Sequence, residues 1–108
     1  MKHTIVLVPF PFDDFSSTKV RPAVCLTDKT GKYHHIVFDF ITSQVPEDKT
    51  ESDIALEPTD ETGLKVKSVL RLHRIATIPA ELIQRKLGQL PKTKEEELEQ
   101  KLSRLFGL

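Results

Sequence analysis

The chain has 108 residues, with 16 Lys plus Arg against 16 Asp plus Glu and a formal net charge of zero. That length fits one domain spanning residues 1–108, and the even balance excludes both a histone-like basic coat and an acidic disordered tail. A hydrophobic share of 38% suffices for a packed core, while a single thiol, Cys25, excludes an internal disulfide framework and a cysteine-cluster zinc site.

The apolar run Ile5–Phe12 is interrupted by Pro9 and Pro11 and falls short of the about 18 residues a membrane helix needs. Asp13-Asp14 follows where a signal peptide would have small residues, so the expected location is the cytoplasm, with no membrane partner. Five runs rich in Val, Ile, Phe and Thr are predicted as strands: Thr4–Val8, Ala23–Leu26, Ile36–Ile41, Ile54–Leu56 and Val69–Leu72. Their short, irregular spacing points to a small barrel or compressed sandwich rather than βαβ units. Residues 46–62, acidic and holding Pro46 and Pro58, read as an exposed loop carrying only a short strand.

The C-terminal quarter changes period. Pro79–Leu87 is predicted to be a short helix, with a proline early and Gly88 as its stop. Thr93, three residues before Glu96, has the spacing of a capping box at the start of a second helix, and Glu95, Glu96 and Glu97 suit its first turn. Leu98, Leu102 and Leu105 then form one apolar stripe, expected to pack on the sheet.

Zero net charge conceals a segregation. Residues 47–61 hold seven acids against Lys49, and residues 62–86 hold six bases against Glu81. Phosphate binding responds to such local fields, although charge alone favours an ordinary surface in which folding intermixes the two stretches.

Several chemistries find no support. His34-His35, adjacent on a strand, would face opposite ways, and the four histidines lack chelating spacing. The four glycines are too dispersed for a phosphate loop, and Cys25 between Val24 and Leu26 reads as packing. No metal ligands and no cofactor are expected. What remains is a set of polar residues at strand edges. Arg21 is held extended by Pro22, and Thr42-Ser43-Gln44 follow directly on Ile36–Ile41. Arg71 alternates with Leu70 and Leu72, opposite to their face, and His73 falls on the apolar-facing parity or at the strand end. Taken singly, each reads as a surface salt bridge or a satisfied strand-end hydrogen bond.

Together these residues resemble a known family. Val8-Pro9-Phe10-Pro11-Phe12-Asp13-Asp14, the Ser16–Lys19 loop and Arg21-Pro22-Ala23-Val24 are similar to the MazF/PemK (Kid) toxins of bacterial toxin–antitoxin pairs. Ile41-Thr42-Ser43-Gln44, then Gly63-Leu64-Lys65 and Ser68–Arg74, continue the match in order, over roughly residues 4–106. The resemblance implies a mainly β fold, an SH3-like barrel of the CcdB/PemK type with a C-terminal α-helix, usually homodimeric. It also implies metal-independent cleavage of single-stranded RNA, restrained by a cognate antitoxin.

In that chemistry a ribose 2′-hydroxyl attacks the adjacent phosphate, which calls for a base, a cation and a proton donor. By resemblance, Arg21 would hold the phosphate oxygens and Thr42 the phosphate or 2′-hydroxyl, with Arg71 and His73 assisting. The His73 position carries an Asp in the plasmid-encoded version. Phe12, Ser16, Lys19, Ser43 and Gln44 match regions that grip RNA. Lys2-His3-Thr4 and the short first loop depart from the family pattern. They motivate the alternative of a non-catalytic barrel that binds a protein such as gyrase or an antitoxin.

Overall fold

The computed structural model describes residues 1–10, 19–47 and 50–108. Its strands are β1 (Thr4–Pro9), β2 (Val20–Cys25), β3 (His35–Thr42), β4 (Asp53–Leu56), β5 (Ser68–Pro79) and β6 (Arg85–Gln89), followed by helix α1 (Lys92–Leu105). The strands form one antiparallel sheet in the order β4-β5-β3-β2-β1-β6.

The sheet curls until its two ends approach each other. The turn after β4 reaches β6, where the Gln89 N–H donates to the Glu61 carbonyl at 2.8 Å. Two glycines permit that approach. A Cβ on Gly88 would lie 2.3 Å from the Glu61 carbonyl oxygen, and one on Gly63 would lie 2.0 Å from that of Leu87. Gly63 also has a φ of +70°, where L side chains are strained. The mainly β, half-barrel architecture with one terminal helix is therefore as expected.

Side chains alternate along the central strands into two cores. Ile5, Val24, Ile41, Leu70 and Leu72 pack on one side with Leu98 of α1. Val6, Val8, Ala23, Cys25, Ile36 and Phe38 pack on the other. Burial on both faces explains why Ile5–Val8 and Ile36–Ile41 read as continuous apolar runs instead of alternating ones. Cys25 is fully buried, as its neighbours indicated, and burial pushes its thiol up to about 11.

Asp39 interrupts the second of these runs. It faces Val24 of β2 and Ile75 of β5, is fully buried, and finds no hydrogen-bond partner for either carboxylate oxygen among the described residues. Burial pushes its pKa up to about 8.

The C-terminal quarter differs from expectation in three ways. The predicted helix Pro79–Leu87 is instead the end of β5, a single 3-10 turn at Ala80–Leu82 and most of β6. Pairing with β1 overrides the local helical signal, and Gly88 serves as a site of close packing rather than a helix stop. The capping box is not formed. Helix α1 begins at Lys92 after Pro91, so Thr93 already lies inside the first turn and there is no side-chain cap. The stripe holds in part, with Leu98 buried, Leu102 packed against the core and Leu105 exposed. Finally, His34 is not on a strand. It occupies a turn with φ of +54°, and β3 starts at His35.

Candidate functional site

Register brings Arg21 and Thr42 together. Strands β2 and β3 pair with Ala23 opposite Phe40, and Arg21 and Thr42, each two residues beyond that pair on its own strand, line one cleft. The Thr42 hydroxyl oxygen accepts the Gln44 N–H at 3.1 Å, a local turn that ends the strand and leaves the hydroxyl proton to be donated elsewhere. On the other side, Val8 of β1 pairs with Arg21, and Phe10 follows at the strand's end. The Arg21 guanidinium carbon lies 5.5 Å from the centre of the Phe10 ring. Phe10 meets Phe40 edge to face, with centroids 5.1 Å apart and planes at 78°. Aromatic faces attract a guanidinium, so the Phe10 ring, itself braced by Phe40, supports Arg21.

A kink in β5 supplies the rest of the wall. Leu70 pairs with Ile41 and Ile75 with Asp39, so residues 71–74 all pass opposite Phe40. Strict alternation would put Arg71 and His73 on one face. The inserted residues break that parity, and it is Arg71 and Arg74 that line a cleft with Phe10, Arg21, Phe40, Thr42, Gln44 and Glu47. The cleft has a volume of about 460 Å³. His73 is exposed and does not line it, so it sits neither on the apolar-facing parity nor at the strand end, because β5 continues to Pro79.

Arg71 is fixed from behind. Asp53 of β4 stands directly opposite it, and its Oδ1 accepts the Arg71 Nε–H at 3.1 Å. Both side chains are largely buried, at 14% exposure for Arg71 and 6% for Asp53. Just beyond the paired ends of these strands Lys67 approaches Glu57 at 3.9 Å. Antiparallel pairing of β4 with β5 thus intermixes the acidic and basic stretches, while Arg21, Arg71 and Arg74 still converge on the cleft.

A second cleft, of about 390 Å³, shares Arg21, Ile41, Thr42 and Gln44 with the first. Ser43, Lys65, Ser68 and Arg85 contribute polar groups to it, between apolar side chains such as Leu7, Leu64 and Val66. Arg21 and Thr42 therefore stand on the divide between two depressions. Of the remaining predicted contacts, Lys19 is exposed and lines neither cleft, although its carbonyl accepts the Phe10 N–H at 3.0 Å. Phe12 and Ser16 lie outside the described residues.

The sequence reading did not select Phe10, Phe40, Arg74 or Asp53 as functional. Arg74 stood in the positive stretch and at the end of the matched segment Ser68–Arg74 but was given no role, and the kink that puts it in the cleft leaves no mark on composition. Glu47 is the one carboxylate among the described lining residues. No group of three or more His, Cys, Asp or Glu side chains able to hold a metal occurs among the described residues. No helix of the described chain is long and apolar enough to cross a membrane.

The same fold occurs in solved toxin structures. The Mycobacterium tuberculosis toxin MazF-mt6 superposes with a TM-score of 0.76 at 22% identity, covering 97% of each chain. An endoribonuclease in complex with its cognate antitoxin, from a mycobacterial species, gives 0.76 at 13% identity, covering 100% of this chain and 95% of that one. MazF from Deinococcus radiodurans gives 0.73 at 18% identity, with 99% and 96% covered. No curated protein matches the chain in sequence. The profile of the PemK-like, MazF-like toxins of type II toxin–antitoxin systems matches residues 2–106, and it spans every strand, both clefts and helix α1. This chain belongs to that family.

Proposed function

We propose that the chain is a metal-independent endoribonuclease that cuts single-stranded RNA in the cleft walled by Arg21, Thr42, Arg71 and Arg74. One observation carries this reading: three arginines and a strand-end threonine line one cleft, in a member of a toxin family. Solved structures with the same fold include two described as endoribonucleases.

The chemistry follows from the groups present. The 2′-oxygen of one nucleotide attacks the neighbouring phosphorus and the bond to the 5′-oxygen breaks, leaving a 2′,3′-cyclic phosphate and a 5′-hydroxyl. Negative charge builds on the equatorial phosphorane oxygens. Arg21 and Arg71 are the cations for those oxygens, since a planar guanidinium can present two parallel N–H donors to one phosphate. Thr42 donates its hydroxyl proton to the phosphate. Glu47 accepts the proton of the attacking 2′-hydroxyl in this scheme, and solvent water in the open cleft gives the departing 5′-oxygen the proton that makes it a hydroxyl. Weight shifts from His73 to Arg74, because the imidazole stands outside the cleft and the guanidinium within it. Phe10 and Phe40 offer apolar ring surface for an unstacked base, with Gln44 as the amide that reads its edge. Ser43 and the second cleft extend the path along the strand. A homodimer, a cognate antitoxin as restraining partner and a cytoplasmic location complete the proposal.

Purified protein is expected to cut a mixed-sequence single-stranded RNA in EDTA, leaving 5′-hydroxyl ends, and Arg21→Ala should abolish cutting. Cleavage that depends on added metal, or full activity in that variant, would sink the mechanism. DNA damage without RNA cleavage on induced expression would favour a non-catalytic barrel acting on a protein such as gyrase.

A further inference from the structure

Asp53 stands behind the cleft wall and does not line the cleft, yet it ties several of the surrounding elements together. Its carboxylate is nearly buried and uses both oxygens. Oδ1 accepts the Arg71 Nε–H at 3.1 Å, and Oδ2 accepts the Thr50 backbone N–H at 2.9 Å. Its main-chain carbonyl accepts the Lys101 ammonium of α1 at 2.9 Å, and Lys101 is itself held by Glu97 at 2.9 Å. The residue before it, Ser52, accepts the Leu72 N–H at 3.0 Å, which binds the segment to the kinked part of β5.

We infer that Asp53 is a positioning residue for RNA cleavage, which aims the Arg71 guanidinium into the cleft by holding its Nε edge. The inference rests on the reading of Arg71 as a cation for the reacting phosphate. Arg71 sits where β5 leaves regular pairing with β3, so the sheet alone does not fix the direction of its long side chain. A hydrogen bond to Nε, unlike one to a terminal amino group, fixes the guanidinium plane close to its pivot. It also turns the edge bearing the two terminal nitrogens away from Asp53. The pair is nearly dry, which makes a charge-assisted bond stronger and more directional than one on the surface. Lys101 and the Thr50 turn then keep the carboxylate itself from following the arginine when a phosphate pulls on it.

A misaimed cation affects the step in which charge develops more than it affects the binding of an RNA whose phosphates touch several groups. Asp53→Ala is therefore expected to lower kcat by about 10-fold to 100-fold while changing KM by less than about threefold. Asp53→Asn keeps an amide oxygen able to accept the Nε–H and should recover most of that loss.

The test is a cycle of Asp53→Ala, Arg71→Ala and the double variant, each checked for a folded circular dichroism spectrum. Cleavage of a fluorescent single-stranded RNA is followed at saturating and subsaturating substrate. If Asp53 acts through Arg71, Asp53→Ala should slow the Arg71→Ala background by less than about twofold. Equal slowing in both backgrounds, or wild-type kcat in Asp53→Ala, would overturn the inference while leaving Arg71 in its role. Wild-type cleavage by Arg71→Ala would instead overturn the reading of Arg71, and the inference with it. Should Asp53→Ala fail to fold, Asp53→Asn and Asp53→Ser enter the same cycle, and their order of activity must follow the ability to accept the Nε–H.

Discussion

Asp39 makes this protein less stable as pH rises, and the size of the effect can be worked from its surroundings. The carboxyl is fully buried between Val24 and Ile75, with no hydrogen-bond partner among the described residues, so its charged form has nothing to replace lost water. In the folded chain it keeps its proton up to about pH 8, against the ordinary aspartate value of 3.8 that applies once the chain unfolds. Between those values the folded state binds more protons than the unfolded one, so stability falls with rising pH and levels off above the folded value. Each unit of difference is worth about 1.4 kcal/mol, which gives a ceiling of about 4 kcal/mol lost by pH 7. Set against a total of about 5–15 kcal/mol for a domain, that is a large fraction.

Asp39→Asn keeps the shape and removes the ionisation. Urea unfolding followed by far-ultraviolet circular dichroism, at fixed protein concentration from pH 5 to pH 8, gives the free energy for both proteins. The wild type is expected to lose about 2–4 kcal/mol across that window relative to the variant, and the gap should be smallest at the acid end. Other ion pairs, including His3 with Glu95 and Glu99, are common to both proteins and cancel in the difference. Parallel pH profiles would refute the reasoning.

Three further substitutions test how the sheet closes and how the helix is held. Gly88→Ala places a methyl 2.3 Å from the Glu61 carbonyl oxygen, which is backbone and cannot rotate aside, so unfolding should become easier by about 2 kcal/mol or more; an unchanged urea midpoint would contradict the close approach. Leu98→Ala empties a fully packed site in the core shared by sheet and helix and should cost about 2–5 kcal/mol. Leu105→Ala, on the same stripe but exposed, should stay within about 0.5 kcal/mol in the same titration.

Strands β1 to β4 and the first part of β5, Val69–Leu72, were legible because their β-branched runs have few other uses and their borders carry turn residues. The rest of β5, to Pro79, was not. Nor was strand β6. Arg85-Lys86-Leu87-Gly88-Gln89 has no strand pattern of its own, and only its pairing with β1 makes it extended. The same blindness to distant partners affected the site. Arg21 and Thr42 were singled out as residues at strand edges, and the fold brings both to the same two clefts. Asp53 looked like one more acid in a loop, because a cross-strand partner leaves no trace in the order of residues. Asp39 disappeared inside an apolar run for the opposite reason, being flanked by residues that bury it.

The kink in β5 has a consequence for how relatives of this chain are compared. Which side chain enters the cleft there is decided by hydrogen-bond register, and register does not travel with residue index. Four residues, 71–74, stand there opposite one, where regular pairing would have a single residue, so a relative with fewer residues between the positions of Leu70 and Ile75 would present a different set of side chains to the cleft. Length variation in a single strand thus changes the composition of the wall without any substitution. Homology in the cleft has to be assigned in space.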